Sequence, residues 1–213
     1  KAWPVAGSAQ VGQAFLRGVK PFVFDAAGQQ MDLAAARSVV QEVRAVKDMI
    51  DEKMAGRGHE RRNVKLGVGE IREIEFLAQT IQVIAGKRVP GILDRSTLGA
   101  LVRFERHRLL SAKQRAAMEA AYLFLRDVEH KLQMVHDLQT HALPETEEEL
   151  QRCAVRTGYG SEDRKTALTR FHSDHARHTK LIHGAFRDLF HTPARSTLLK
   201  AALRAMRSSR RSR

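Results

Sequence analysis

Through most of the chain apolar residues recur every three or four positions, the period of an α-helix with one buried face. Leu33, Val39, Val40, Val43, Val46 and Ile50 trace such a face, so Asp32 is expected to cap a helix running to about Met54 and ended by Gly56 and Gly58. Helical spacing resumes at 76–85, stops at Gly86 and the Pro90-Gly91 loop, and returns over 97–107 behind Ser96. Ser111 and Gln114 are spaced for a capping box. Behind them Met118, Tyr122, Leu125, Val128, Leu132 and Val135 predict a long helix to about residue 139. After Pro144, the acids Glu145, Glu147, Glu148 and Glu149 suit a helix N-terminus, and Gly158 and Gly160 end that helix. Ser161 with Glu162 and Asp163 starts another, to about Phe190, and 197–207 is a last short helix candidate.

Two stretches depart from this period. Residues 1–31 are punctuated by Pro4, Gly7, Gly12, Gly18, Pro21 and Gly28 and read as irregular, with residues 21–24 a short strand candidate. Residues 63–76, N-V-K-L-G-V-G-E-I-R-E-I-E-F, combine a Gly-rich turn with strict alternation. Read as a strand, Ile71, Glu73 and Glu75 share one face, and Arg72, Ile74 and Phe76 the other. Paired carboxylates on one face suit a divalent metal; the same pattern also fits an edge strand with solvated glutamates. The predicted fold is mainly α: a helical bundle (77–192) behind the C-terminal remnant of an α/β domain (1–76, short strands plus helix), with a basic tail at 193–213.

Composition narrows the classes. A chain of 213 residues, 43% hydrophobic, can bury a sizeable core, and no apolar run reaches the length of a membrane span. The single Cys153 excludes an internal disulfide and points to a reducing, cytoplasmic setting, as a buried thiol rather than a nucleophile. The first residue is Lys1, not Met, which suggests a piece of a longer protein. Net charge is +13, and the stretch 194–213 holds Arg195, Lys200, Arg204, Arg207, Arg210, Arg211 and Arg213 with no acid. Such a tail is usually a solubilising end, and no aromatic accompanies it to stack bases, so nucleic acid is not the expected partner.

Several constellations carry chemistry. Lys65, Gly67, Gly69 and Arg72 combine close backbone approach with positive charge, as a phosphate-facing turn does, without the spacing of a P-loop or dinucleotide fingerprint. His172, His175 and His178 are i, i+3, i+6 beside Asp174 and read as exposed polar residues before a zinc set. Glu129, His130, His136, Asp137 and His141 border the loop before Pro144, as a solvated face or one turned to a partner or cleft.

Residues 63–76 resemble the N-[IV]-K-L-G-x-G-G-I-R-[ED]-I-E-F signature of bifunctional glutamine synthetase adenylyltransferase/adenylyl-removing enzymes. In order, Arg95-Ser-Thr-Leu98, Tyr122-Leu-Phe-Leu-Arg126, Glu129-His130 and Gln139-Thr-His-Ala-Leu-Pro144 match as well, and the resemblance covers about residues 3–190. It implies an enzyme with two nucleotidyltransferase halves, this chain being most like the end of the half that removes AMP from glutamine synthetase by phosphorolysis. The other half adds AMP from ATP. It implies Mg²⁺, ATP/ADP and phosphate, with glutamine synthetase and the PII signal protein as partners. It assigns Glu73 as a metal-site carboxylate, Glu75 as its weaker neighbour, and Lys65, Gly67, Gly69 and Arg72 as the phosphate side.

Two departures stand out. Glu70 occupies the place of the second consecutive Gly, where a positive φ or close phosphate approach would strain it. The upstream G-S…D-x-D element is absent, so the chain alone is expected to be inactive. The alternative is a non-catalytic helical module that docks glutamine synthetase or PII.

Overall fold

A computed structural model describes residues 3–24, 31–55, 62–136, 141–160 and 163–211, with the backbone alone at 135, 136, 210 and 211. Within them run eight α-helices: α1 (Ala9–Phe24), α2 (Leu33–Ala55), α3 (Ile71–Ala85), α4 (Thr97–Arg106), α5 (Ala112–His136), α6 (Glu147–Ala154), α7 (Arg164–Phe190) and α8 (Thr197–Arg211). The mainly helical fold matches the periodicity, and α2, α4, α5 and α7 begin where the capping residues place them. The capping box forms: Ser111 Oγ accepts from Gln114 N at 3.2 Å, and Gln114 Oε1 accepts from Ser111 N at 2.9 Å.

The expected strands are not there. Residues 21–24 finish α1, and among the described residues extended pairing is limited to one isolated antiparallel bridge, Asn63 with Ala142. Residues 71–76 are the first turns of α3. The alternation that read as a strand lasts six residues, whereas Ile71, Ile74, Ala78, Ile81 and Ala85 keep helical spacing for fifteen. The longer period buries more apolar surface, so it wins.

α3 is the central helix, with Ile71, Ile74, Leu77, Ala78, Ile81, Ile84 and Ala85 all buried. The main core surrounds it with Ala36 and Val40 of α2, Leu101 and Phe104 of α4, Leu125 of α5, and Ile182, Phe186 and Leu189 of α7. A second core lies beneath the turn at 62–66, where Val64, Val128, Leu132, Leu143, Cys153, Leu168 and Phe171 meet. Cys153 is buried there, and burial pushes its thiol up to about 11. The basic run is helical to Arg211: Leu198, Leu199, Ala202 and Met206 of α8 are buried against the main core, while Lys200, Arg204 and Arg207 face outward. Ser196 anchors its start, donating to Asp188 Oδ2 at 2.9 Å and accepting from Leu199 N at 3.2 Å.

Candidate functional site

The turn between α2 and α3 is built by its own sequence. Asn63 Oδ1 accepts from Lys65 N (3.0 Å) and Leu66 N (2.8 Å), folding the chain back on itself. Val64 N donates to His141 O and Leu143 N to Arg62 O, both at 2.8 Å, which ties the turn to the segment before Pro144. Gly69 has φ +75, and a Cβ there would lie 2.2 Å from Thr179 O of α7. Glycine is therefore needed twice at this position, for the left-handed backbone and for the close approach. Its open side is filled by protein, not left for a ligand. Glu70 is extended (φ −93, ψ −172) and begins α3. The strain expected at Glu70 does not arise, because its neighbour carries the positive φ.

One stripe of α7 receives this turn. His175, Thr179 and His183, four residues apart on one face, meet Glu70, Gly69 and Glu73 respectively. His175 Nε2 lies 3.0 Å from Glu70 Oε1 but is not aligned for a hydrogen bond, so the contact is electrostatic. Burial pushes the Glu70 carboxyl above its ordinary value, His175 opposes the rise, and the Glu73 charge adds to it. His183 Nδ1 lies 3.2 Å from Glu73 Oε2, and Lys47 Nζ of α2 is 3.8 Å from Glu73 Oε1. The backbone of Gly69 also favours the charged form of the Glu73 carboxyl. Burial still raises the Glu73 carboxyl overall.

A second buried carboxylate organises the other side of the turn. Glu129 of α5 is 1% exposed. Its Oε1 lies 3.2 Å from Lys65 Nζ and 3.1 Å from His141 Nδ1, and its Oε2 accepts from Arg126. Arg126 also reaches His130 Nε2 at 3.1 Å. The His141 imidazole is held below its ordinary value, first by burial and then by the charges of Lys65 and Arg126, with Glu129 opposing. Glu129 is thus the anchor of a cation cluster and not a solvated residue. Asp137 lies outside the described residues.

The site residues read from the sequence divide between these arrangements. Glu73 is buried among Lys47, His183 and Gly69, while Glu75 is half-buried and pairs with Arg72 at 3.5 Å. Two residues apart on a helix, they do not share a face, so the paired-carboxylate geometry is absent. Arg72 lies over the Phe76 ring at 5.6 Å. Among the described residues no three His, Cys, Asp or Glu side chains converge as a metal site. With the oxygens of Glu73 held by these protein groups, the residues present do not fit a divalent ion by themselves. The helix-face trio is not a metal set either: His178 stacks on Phe124 at 4.8 Å and His175 faces Glu70. Lys47 was readable in principle, because it interrupts the apolar stripe of Val40, Val43 and Ile50 where a core residue is expected. His183 carries no such signal.

The pattern of the family described as GlnD PII-uridylyltransferase matches residues 44–190, which hold the turn and α3 to α7. A bifunctional glutamine synthetase adenylyltransferase/adenylyl-removing enzyme of Agrobacterium fabrum is 45% identical over 159 residues, 75% of this chain and 16% of that protein. The enzyme of the same description from Bradyrhizobium diazoefficiens is 40% identical over 191 residues, 89% of this chain and 18% of its own length. The chain thus spans under a fifth of these relatives. It belongs to the GlnD PII-uridylyltransferase family and is homologous to one segment of the bifunctional adenylyltransferase/adenylyl-removing enzymes.

Proposed function

We propose that this chain is the helical part of an enzyme that controls glutamine synthetase by nucleotidyl transfer in the cytoplasm. It is most like the half that removes AMP from the adenylylated tyrosine by phosphorolysis, with ADP as product, the other half adding AMP from ATP. The PII protein is the expected signal. The observation that carries the reading is the 45% identity to an enzyme of that description, with the family pattern running through the turn and its anchors.

In this reading the Mg²⁺-holding carboxylates come from outside these residues. Glu73 keeps the shape of the turn through Lys47, His183 and Gly69, and Lys65 faces phosphate. The isolated chain is therefore inactive. The test exchanges this chain for the matching segment of the Agrobacterium fabrum relative. ADP release from adenylylated glutamine synthetase with phosphate and Mg²⁺ is then followed. The chimera is expected to remove AMP and the isolated chain to release no ADP. ADP from the isolated chain, or a folded chimera that adds AMP yet removes none, would overturn the reading.

A further inference from the structure

We infer that Lys65, Arg126 and His141 form a binding site for a phosphate oxyanion, held in shape by the buried Glu129. The three groups come from three separate elements: the turn before α3, the middle of α5, and the segment leading to Pro144. They converge on one carboxylate. Among the described residues Glu129 is the acid within ion-pair distance of either cation, so two cations face one negative charge. One cation would have sufficed to neutralise a purely structural carboxylate. The ammonium and guanidinium together carry more N–H donors than Glu129 and His130 can accept.

The surplus donors are placed to be used. Glu129 is 1% exposed, whereas Lys65, Arg126 and His141 keep 29%, 34% and 24% of their side chains open to solvent. The buried carboxylate holds these half-exposed groups beside one another, Arg126 by a charge-assisted hydrogen bond and Lys65 by charge alone. His141 shares the same carboxylate, with Nδ1 3.1 Å from Glu129 Oε1. Arg72, the other cation expected on the phosphate side, is engaged by Glu75 and Phe76 instead.

The placement in a nucleotidyl-transfer enzyme rests on the reading above, but anion binding needs no turnover. The two can therefore fail separately: a working chimera without this site, or this site without a working chimera. The experiment is a titration of the full chain, carrying ¹⁵N-labelled histidine, with inorganic phosphate and in parallel with AMP. Chloride at matched ionic strength is the control.

Phosphate is expected to move the His141 ring signals saturably, with Kd on the order of 1 mM. The rings of His175 and His183 should stay still. Tighter binding of AMP would identify a nucleotide phosphate, and tighter binding of phosphate the free ion. Lys65→Met and Arg126→Gln should each weaken binding at least about tenfold, and Arg72→Gln should not. Charge-keeping Lys65→Arg and Arg126→Lys should retain it. The inference is overturned if chloride reproduces the His141 shift, if no saturation occurs, or if the shifts centre on α7. Those readings need the unmodified chain alone, so a variant that fails to fold does not protect the inference.

Discussion

Glu70 is the residue whose placement most changes its meaning. By resemblance it stands where a glycine is expected, which implied strain; its φ of −93 shows none. Its cost is electrostatic instead: a buried carboxyl with Oε2 unpartnered and one misaligned contact to His175. Its folded pKa lies above the ordinary 4.5. Below 4.5 both folded and unfolded forms are protonated and the native state keeps its full stability. As pH rises through the folded pKa, the unfolded chain ionises first and stability is lost. Glu70→Gln should therefore raise Tm near neutral pH, with the gain shrinking as pH falls toward 4.5. Scanning calorimetry of both chains across that range checks it. A variant less stable near neutrality would show that the His175 contact outweighs burial.

At the scale of elements, the turn is held because α7 and α3 touch where glycine allows it. Gly69 and Gly158 both have left-handed backbone, at φ +75 and +100, but only Gly69 faces a close neighbour, Thr179 O. Alanine at Gly158 meets nothing within 4 Å and should cost about 1 kcal/mol for the backbone alone. Gly69→Ala adds a clash with a helix backbone and should cost about 2–4 kcal/mol. Urea unfolding of both variants separates the two contributions. Equal losses would mean that α7 yields and is not the socket of the turn.

Much of this element level was legible. Asp32, Ser96, Ser111 and Asp163 mark real helix starts, because a cap is a local hydrogen bond between near neighbours. The start of α3 was not legible. Six alternating residues satisfy both periods, and the choice depends on what lies on each side of them. The α1 helix was missed for a related reason: Gly12, Gly18 and Pro21 are poor helix formers, yet the segment is helical through all three.

Over the whole molecule, two apolar cores share Phe124, which packs against both and stacks on His178 at 4.8 Å. Both long helices, α5 and α7, also run through both cores, so the cores should unfold together. Phe124→Ala should cost about 2–3 kcal/mol, given that the ring is only partly buried, and lower the cooperativity of melting. The ratio of van't Hoff to calorimetric enthalpy reports it, and an unchanged ratio would argue that the helices alone couple the cores.

By itself the sequence determined the helical period, most caps, the buried thiol, the Gly-rich turn before α3 and the family resemblance. These depend on residues close in the chain or on residue order. Only the tertiary structure decided the partners of Glu70, Glu73 and Glu129. Their carboxylates are paired by His175, His183 and Lys47, and by Lys65, Arg126 and His141, from helices and turns mostly far away in sequence. A charge on a sequence has no fixed environment. Burial and long-range packing supply it, and they turned a suspected pair of metal-binding glutamates into one buried anchor and one half-buried neighbour of Arg72.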